Sequence, residues 1–488
     1  MWSTWGEPVH PRKGEQSMAS IPPTRLVRLL GDWAPPGSGT SRALANGLAE
    51  LIDGARLPAG HRMPGQRTLA ASLGIARGTV SRAFSDLADS GHLVARPGSG
   101  TIVRHPRAPG RAAEGRLTSF DDDGSAVLDL SSGALPGSAA VASVLTDVAA
   151  ALRERHADDM GYHPAGLQPL REHLARTTTA QGLPTSPEEI LVTAGSQQAV
   201  WLLASALTGP GSTVVVEDPA YRGALEAFAD HGALLRGVPM RPGGIDVGLL
   251  ASAAASADLV YLQPALHNPT GVHTSAAARA RIAEALAGTD ALVVDDQSGA
   301  DLSWTRSSRL RGMEGLVDPE RLLVVGTLSK LVWGGIRVGW VRGPRALIGS
   351  LTDLRRGLDL SGSVLDQLAA LALVPGIDAQ RDERRRVLSE RFEALTAGLA
   401  GAVPDWTWWL PAGGSGVWVD TGEDAVALGL RARAHGIRLT AGPAFSPHDG
   451  HGTFLRLPVW LTDDQLDRAV RFLAETSPGA PPRHRVEC

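Results

Sequence analysis

One of the two lysines in this chain of 488 residues lies in a pattern that could carry chemistry. Lys330 ends the motif Gly326-Thr327-Leu328-Ser329-Lys330, which follows an apolar run, and Arg337 comes shortly after it. A desolvated lysine can lose its proton and condense with an aldehyde, whereas arginine stays charged. Lys330 is therefore a candidate anchor for pyridoxal phosphate. The other lysine, Lys13, lies in a Pro/Ser-rich leader.

Other residues could hold the rest of such a cofactor. Residues 193–199 turn from a predicted strand into a predicted helix, and the N–H groups and dipole of a helix N-terminus attract phosphate. All three tyrosines, Tyr162, Tyr221 and Tyr261, lie beside Gly/Pro motifs in this part of the chain. A tyrosine can stack its ring on a pyridine and bond through its hydroxyl. Tyr261 lies within a predicted strand and is better explained as core.

Two further motifs complete the set. Residues 267–271 read His-Asn-Pro-Thr-Gly, and the predicted strand ending in Asp295 and Asp296 supplies an acid. An acid can keep a pyridine nitrogen protonated, and an amide such as Asn268 can hold the phenolic oxygen of the ring. One of the two acids has the simpler alternative of a helix cap or a solvated turn.

The elements that must position these residues alternate between strands and helices from residue 127 onward. Short apolar runs predict strands at residues 189–193, 213–216, 259–262, 291–295 and 322–325. The alternation predicts a mostly parallel sheet with helices on both faces, and ligands in such sheets lie beyond the carboxyl ends of the strands. Each motif above follows one of these ends.

The N-terminal part has a different pattern. Helical periodicity over residues 43–52, 67–73 and 79–90 precedes short strands at residues 92–95 and 101–103. This order predicts a winged helix-turn-helix. Residues 41–104 hold eight arginines and four acids, a balance of +4, while the whole chain carries −4. The asymmetry favours a polyanionic partner, although a basic face that is only solvated would give the same charge distribution.

Composition sets the remaining limits. The length and a hydrophobic content of 43% allow two or three domains. Cys488 is the only cysteine, so no internal disulfide can form and we expect a cytoplasmic protein. We also expect no secretory signal, no membrane span and no metal site.

The N-terminal motifs resemble the DNA-binding domain of the GntR family. The resemblance rests on residues 56–64, 67–70, 77–80 and 98–101. It implies that Arg67, Arg77, Thr79 and Arg82 face phosphates and base edges, and that Gly98, Ser99 and Gly100 let the wing approach the minor groove. Gly65 and Gln66 replace the small hydroxyl residues usual there, which places one phosphate contact in question. A winged helix used only for protein contacts is the alternative.

The C-terminal motifs resemble the fold type I, aspartate-aminotransferase-like superfamily, and imply pyridoxal 5'-phosphate as cofactor. Lys330 would form the internal aldimine, Asp295 would pair with the pyridine nitrogen with Asp296 as the alternative, and Arg456 would clamp a substrate carboxylate. The other implied cofactor contacts are Asn268 on the phenolic oxygen, Tyr221 stacked on the ring, Ser196, Gln197, Thr327 and Arg337 on the phosphate, and Tyr162 on the phosphate of a partner subunit. Gln297 stands where many relatives have a tyrosine.

Together the two parts resemble the MocR family of bacterial transcriptional regulators. The expected organisation is a disordered leader at residues 1–21, a winged helix domain at 22–104, a linker at 105–127 and an aminotransferase-like domain at 128–488, with a small subdomain at about 380–476. The resemblance implies a homodimer with crossed-over DNA-binding domains on repeated operator half-sites, and an effector that is either an amino compound or pyridoxal phosphate. The alternative is a working aminotransferase with an accessory N-terminal domain.

Overall fold

The computed structural model of the protein describes residues 21–31, 33, 40–53, 57, 62–89, 92–96, 100–103, 128–306 and 308–476. The chain divides into two compact units, Met1–Glu114 and Gly115–Cys488. Each unit has its own hydrophobic core. The predicted leader and linker lie outside the described residues, apart from Ile21.

The N-terminal unit is a winged helix-turn-helix, as predicted. Its helices are α1 (Pro23–Leu30), α2 (Thr40–Asp53), α3 (Gln66–Leu73) and α4 (Arg77–Asp89), and its strands β1 (Leu93–Arg96) and β2 (Gly100–Val103) pair antiparallel. Gly74 closes α3 in the left-handed region, at φ 66°, where a glycine has no side chain to clash. The apolar faces of the helices meet in one core, with Leu48, Leu69 and Val80 fully covered.

The helix α1 is not predicted by the helical patterns of this unit. It is a short helix that begins with a proline, and Leu26 is the one residue that it buries completely. A single buried leucine gives too little periodicity for a sequence pattern, because a helical stripe is recognised only when apolar residues recur over several turns. Its position is therefore determined by packing against α2 and α3.

The second unit is built on an eight-stranded sheet in the order β4-β11-β10-β9-β8-β5-β6-β7. The strands are β4 (Ile190–Thr193), β5 (Thr213–Asp218), β6 (Leu234–Arg241), β7 (Gly244–Ile245), β8 (Leu259–Leu262), β9 (Leu292–Asp296), β10 (Leu322–Thr327) and β11 (Gly339–Arg342). Neighbouring strands from β10 across to β6 are parallel, while β11 and β7 are antiparallel to their neighbours. The predicted parallel core is confirmed, and β6, β7 and β11 are additional to it.

Helices cover both faces of this sheet. They are α5 (Ala139–Ser143), α6 (Leu145–Arg155), α7 (Gln168–Ala180), α8 (Ser196–Leu207), α9 (Arg222–Asp230), α10 (Val247–Ala254), α11 (Ala276–Ala287), α12 (Arg345–Asp359) and α13 (Val364–Leu373). The strands β4, β8 and β10 are buried along their whole length. Burial on both faces explains why these strands are continuous apolar runs rather than alternating ones.

A smaller sheet follows the long helix α14 (Ile377–Ala402). Its strand order is β12-β13-β16-β15, formed by β12 (Thr407–Trp408), β13 (Gly416–Asp420), β16 (Phe454–Pro458) and β15 (Thr440–Ala441). The helices α15 (Ala425–Ala434) and α16 (Asp463–Thr476) belong to the same region. The strand β14 (Ile437–Arg438) pairs in parallel with β3 (Leu128–Asp129), so the start of this unit is tied to its end. No helix in the described parts of the chain has the length and apolar character to span a membrane.

Candidate functional site

A cavity lies in the second unit. Residues from the ends of the large-sheet strands, from the loops after them and from the small sheet line it: Ser196, Tyr221, Gln263, Leu266, His267, Asn268, Pro269, Gly271, Asp296, Ser298, Gly299, Leu302, Lys330, Gly414, Ser415, Gly416 and Arg456. The predicted residues Lys330, Tyr221, Asn268, Ser196 and Arg456 are thus brought together. The cavity lies where open α/β sheets bind ligands.

Lys330 lies in the loop after β10, and its Nζ donates a hydrogen bond to the carbonyl oxygen of Gly133 at 3.0 Å. Burial lowers the pKa of Lys330 to about 8, with the charges of Arg456 and Arg222 adding to the effect and Asp296 opposing it. An amine with this pKa is partly neutral near physiological pH. It can therefore act as a nucleophile without a separate base.

The two acids at the end of β9 point to opposite faces of the sheet. Asp296 lines the cavity and accepts hydrogen bonds from the hydroxyl of Tyr261 and from Gln263 Nε2 at 3.1 Å. Its other oxygen accepts from the Ser298 amide at 2.9 Å. Successive side chains in a strand alternate between faces, so Asp295 must point to the other side.

Asp295, the acid first expected to meet the cofactor, accepts from the Met313 amide at 2.7 Å and from Gln297 Nε2 at 2.8 Å. Burial, and next the nearby charge of Glu314, raise the pKa of Asp295 to about 7. Gln297 bonds Asp295 and Glu314 and is not part of the cavity lining. The geometry thus gives the cavity position to Asp296, and the replacement of a tyrosine by Gln297 falls on the opposite face.

Tyr221 lies at the start of α9, in the cavity wall. Its hydroxyl donates to Gln197 Oε1 at 2.8 Å, and Gln197 Nε2 donates to the Gly223 carbonyl at 3.1 Å. Burial, with the charge of Asp296, raises the pKa of Tyr221 to about 12, so the hydroxyl remains a donor at neutral pH. The side chain of Gln197 therefore orients Tyr221. Only the backbone N–H of Gln197 remains to face a phosphate.

One end of the site is suited to an anion. The helix α8 begins at Ser196, after Gly195 at φ 87°, and the first N–H groups of a helix have no carbonyl partner in the preceding turn. The guanidinium of Arg337 bonds the carbonyl of Ala194 next to this terminus. Thr327 Oγ1 and Ser329 Oγ are 2.9 Å apart on the adjacent loop. Arg337 and Thr327 flank the cavity rather than line it.

Arg456, on β16, is buried at the opposite side of the cavity. Its Nη2 donates to Ser415 Oγ at 3.0 Å, while its Nε is buried with no hydrogen-bond partner in the part of the chain that the structure describes. A Cβ on Gly133 would lie 2.1 Å from Arg456 Nη2, so only glycine leaves room for the guanidinium. Burial, and then Arg222, lower the pKa of Arg456 to about 10. A buried guanidinium with an unsatisfied N–H is suited to a carboxylate ligand.

Several residues of the site are absent from the sequence prediction. Gly133 and Ser415 hold Lys330 and Arg456, and Ser415 Oγ donates to the Gly133 carbonyl at 2.9 Å. Ser329 and Gln263 bond predicted residues, as described above. The Thr-Leu-Ser-Lys motif could have indicated Ser329, whereas nothing in the local sequence marks Gly133 or Ser415.

The remaining predicted residues are not among those that line the cavity. Tyr162 is 65% exposed. On the N-terminal unit, Arg67, Arg77 and Arg82 are exposed and Thr79 is half-buried. Gly100 begins β2, while Gly98 and Ser99 lie outside the described residues.

Family comparisons agree with both units. The model "Aminotransferase class I and II" matches residues 125–473, and "Bacterial regulatory proteins, gntR family" matches residues 40–103. This chain belongs to the aminotransferase class I and II family and carries a gntR-family domain at its N-terminus. The resemblance to MocR regulators is thereby confirmed.

Relatives that span both domains carry the names of regulators. The HTH-type transcriptional regulator TauR of Rhodobacter capsulatus is 28% identical, over 87% of this chain and 93% of that protein. The probable rhizopine catabolism regulatory protein MocR of Rhizobium meliloti is 27% identical, over 73% of this chain and 76% of that protein. The chain is accordingly a transcriptional regulator of this type, with a DNA-binding domain fused to an aminotransferase-like domain.

Solved structures match the second unit. The α-aminoadipate aminotransferase LysN of Thermus thermophilus, complexed with N-(5'-phosphopyridoxyl)-L-leucine, is similar at 27% identity and a TM-score of 0.65, covering 71% of this chain and 91% of LysN. The donor set in and beside the cavity fits pyridoxal phosphate: an amine for its aldehyde, an acid for its ring nitrogen, and a helix N-terminus with the flanking Arg337 for its phosphate. Pyridoxal phosphate is the cofactor of this fold.

The charge of Arg456 gives a first prediction. Arg456→Met removes a cation beside Lys330, so the pKa of Lys330 should rise and a larger fraction of its amine should be protonated at pH 8. The rate of condensation of the apo-protein with pyridoxal should then fall roughly twofold at pH 8 and recover at higher pH. The rate is measured by absorbance between pH 6.5 and 10. Arg337→Met is the control, since pyridoxal has no phosphate and Arg337 does not act on Lys330; an unchanged midpoint in Arg456→Met would contradict the assignment.

Proposed function

We propose that this regulator senses pyridoxal phosphate or an amino compound through Lys330 and changes its affinity for promoter DNA in response. The observation that carries the proposal is the position of Lys330: it is the only lysine of the described residues, and it lies in a cavity with Asp296 and Arg456. Because a gntR-family domain belongs to the same chain, ligand binding at Lys330 can be coupled to DNA binding. We further propose a cytoplasmic homodimer with crossed-over DNA-binding domains, in which the exposed Tyr162 reaches the phosphate bound by the partner subunit.

The residues of the cavity have separate tasks in this proposal. The cofactor would supply an aldehyde that condenses with amines and a ring that withdraws electrons. Asp296 would keep a proton on the ring nitrogen, Tyr221 would cover the ring and Asn268 would hold the phenolic oxygen. Lys330 is held by the Gly133 carbonyl while its amine is free.

The effector is expected to carry a carboxylate as well as an amine. Arg456 is buried and is held by Ser415, and its Nε has no hydrogen-bond partner among the described residues. An amino acid would place its carboxylate on Arg456 and its amine near Lys330. A ligand with these two groups would move Lys330 off Gly133 and bridge the large and small sheets, and it shifts a conformational equilibrium only if it binds one arrangement more tightly than the other.

The second candidate function is transamination. It is favoured by the completeness of the site: Lys330, Asp296, Tyr221, Asn268 and Arg456 are all in place. Sustained turnover of an amino acid with a 2-oxo acid would support it. A regulator would instead show tight, salt-sensitive promoter binding and negligible turnover.

The sensing proposal is tested by measuring affinity for a fragment of the protein's own promoter in three states. The three states are the apo-protein, the protein with pyridoxal phosphate, and the protein with pyridoxal phosphate and one amino acid from a panel. Their dissociation constants for DNA should differ by about five- to 150-fold, the usual range of allosteric coupling. Lys330→Arg should keep DNA binding and lose the response, because arginine cannot condense with the aldehyde. Borohydride reduction followed by peptide mass analysis checks attachment at Lys330. Equal affinity in all three states would refute sensing.

The assignment of Asp296 is tested against its neighbour. Asp296→Asn should weaken binding of pyridoxal phosphate about tenfold or more, since a charged partner of the ring nitrogen is lost. Asp295→Asn should bind almost normally. The pKa of Asp295 is raised to about 7, so a neutral side chain there is a small change, and Asn can still accept from the Met313 amide. Both constants come from absorbance titrations of the apo-proteins, and a stronger effect in Asp295→Asn would reverse the assignment.

If α4 contacts DNA, the affinity for promoter DNA should depend on the salt concentration. Arg82→Ala should weaken promoter binding and, if Arg82 neutralises a phosphate, lower the slope of log affinity against log salt by about 1. Arg42→Ala is the matched control, an exposed arginine on α2 of the same unit and outside the predicted contact set. Fluorescence anisotropy at four salt concentrations gives both slopes. Equal effects of the two substitutions would show a diffuse basic field rather than a specific contact.

A further inference from the structure

Three side chains with metal-binding atoms converge in the segment that follows α6. His156 Nδ1 lies 2.8 Å from Asp159 Oδ2, and His163 Nε2 lies 2.7 Å from the same oxygen. All three ligand atoms are within 4.8 Å of one another. This is the one such group of His, Cys, Asp or Glu among the residues that the structure describes, and the cavity residues do not include it.

A backbone amide orients the carboxylate of this group. Asp159 Oδ1 accepts a hydrogen bond from the Gly161 amide at 2.9 Å, which leaves Oδ2 directed at the two imidazoles. The backbone bond thus fixes the orientation of the carboxylate. A backbone bond of this kind is typical of the outer partners that orient metal ligands.

We propose that His156, Asp159 and His163 form a binding site for a divalent transition metal ion, with zinc as the best match. Two imidazole nitrogens and one carboxylate oxygen are the ligands of many catalytic zinc sites, in which water takes the fourth position. Calcium and magnesium are disfavoured because they prefer oxygen ligands. The sequence analysis expected no metal site.

The distances are compatible with an ion after a small movement. Zinc lies about 2.0–2.2 Å from nitrogen and oxygen ligands, which puts tetrahedral ligand atoms roughly 3.3 Å apart. The imidazoles must therefore move about half an ångström away from Asp159 Oδ2. Their side chains are 16% and 29% exposed, so they have room to move and water can reach the fourth position.

An ion at this site would affect the backbone around Tyr162. Tyr162 lies between Asp159 and His163 in the chain and is exposed. An ion held by His156, Asp159 and His163 ties the end of α6 to the residue after Tyr162. Binding would therefore restrict the backbone that carries this tyrosine. Existence of the site does not depend on cofactor sensing.

The test uses the full-length protein after removal of any affinity tag and treatment with a chelator. Cys488→Ser is introduced in every sample, because a thiolate also binds zinc. Cobalt(II) is titrated and followed by visible absorbance, which reports low coordination number, and zinc is then used to displace it. We expect saturable binding of one cobalt ion per chain at this site and its displacement by zinc.

Variants locate the ion. Asp159→Asn keeps an oxygen for the Gly161 amide but removes the charge, and His163→Gln removes a ligand; each should weaken cobalt binding at least tenfold. His448→Gln, an exposed histidine on another loop, is the matched control and should bind as the parent does. Thermal unfolding of each variant confirms the fold. Absence of saturable binding, or binding that neither Asp159→Asn nor His163→Gln weakens, would overturn the proposal, whatever the result for pyridoxal phosphate or promoter DNA.

Discussion

The chemistry of the second unit depends on one constraint, which is that an amine can react at neutral pH only where its charge is disfavoured. Burial and two nearby arginines, Arg456 and Arg222, lower the pKa of Lys330 to about 8. The same arginines make the cavity attractive to anions. A site that disfavours the ammonium form therefore also favours a carboxylate, so the reactivity of the amine and the proposed affinity for an amino acid have a common electrostatic cause.

The large sheet makes this arrangement possible because its parallel strands end at one edge. Lys330 follows β10, Asp296 ends β9, and the turn that we propose binds the phosphate joins β4 to α8. Each of these strands is held by hydrogen bonds to its neighbours in the sheet, so groups from distant parts of the chain are fixed with little freedom. Arg456 comes from the small sheet instead. A ligand that touches Arg456 and Lys330 together therefore contacts both sheets, which is the physical basis of the conformational response that we propose.

Much of this was predictable from the sequence, because the decisive signals are local. A scarce lysine after an apolar run and the His-Asn-Pro-Thr-Gly motif each occupy a few consecutive residues, and the winged helix pattern is confined to residues 43–103. The strands β8 and β10 are recognisable because both faces are buried and their residues are uniformly apolar. The strand β6 contains arginine, glycine and proline and lies toward the edge of the sheet, so its pattern carries no such signal.

The sequence by itself determined which reactive groups the protein has: a lysine, acids at the end of a strand, and an arginine suited to bind a carboxylate. It also determined that the N-terminal unit is a basic helix-turn-helix. Only the tertiary structure decided which of Asp295 and Asp296 meets the cavity, because helices cover both faces of the sheet and alternation alone does not say which face is which. The same holds for Gly133 and Ser415, whose contacts with Lys330 and Arg456 join segments far apart in the chain. Such contacts leave no periodic or local trace, since they arise from how the sheets pack.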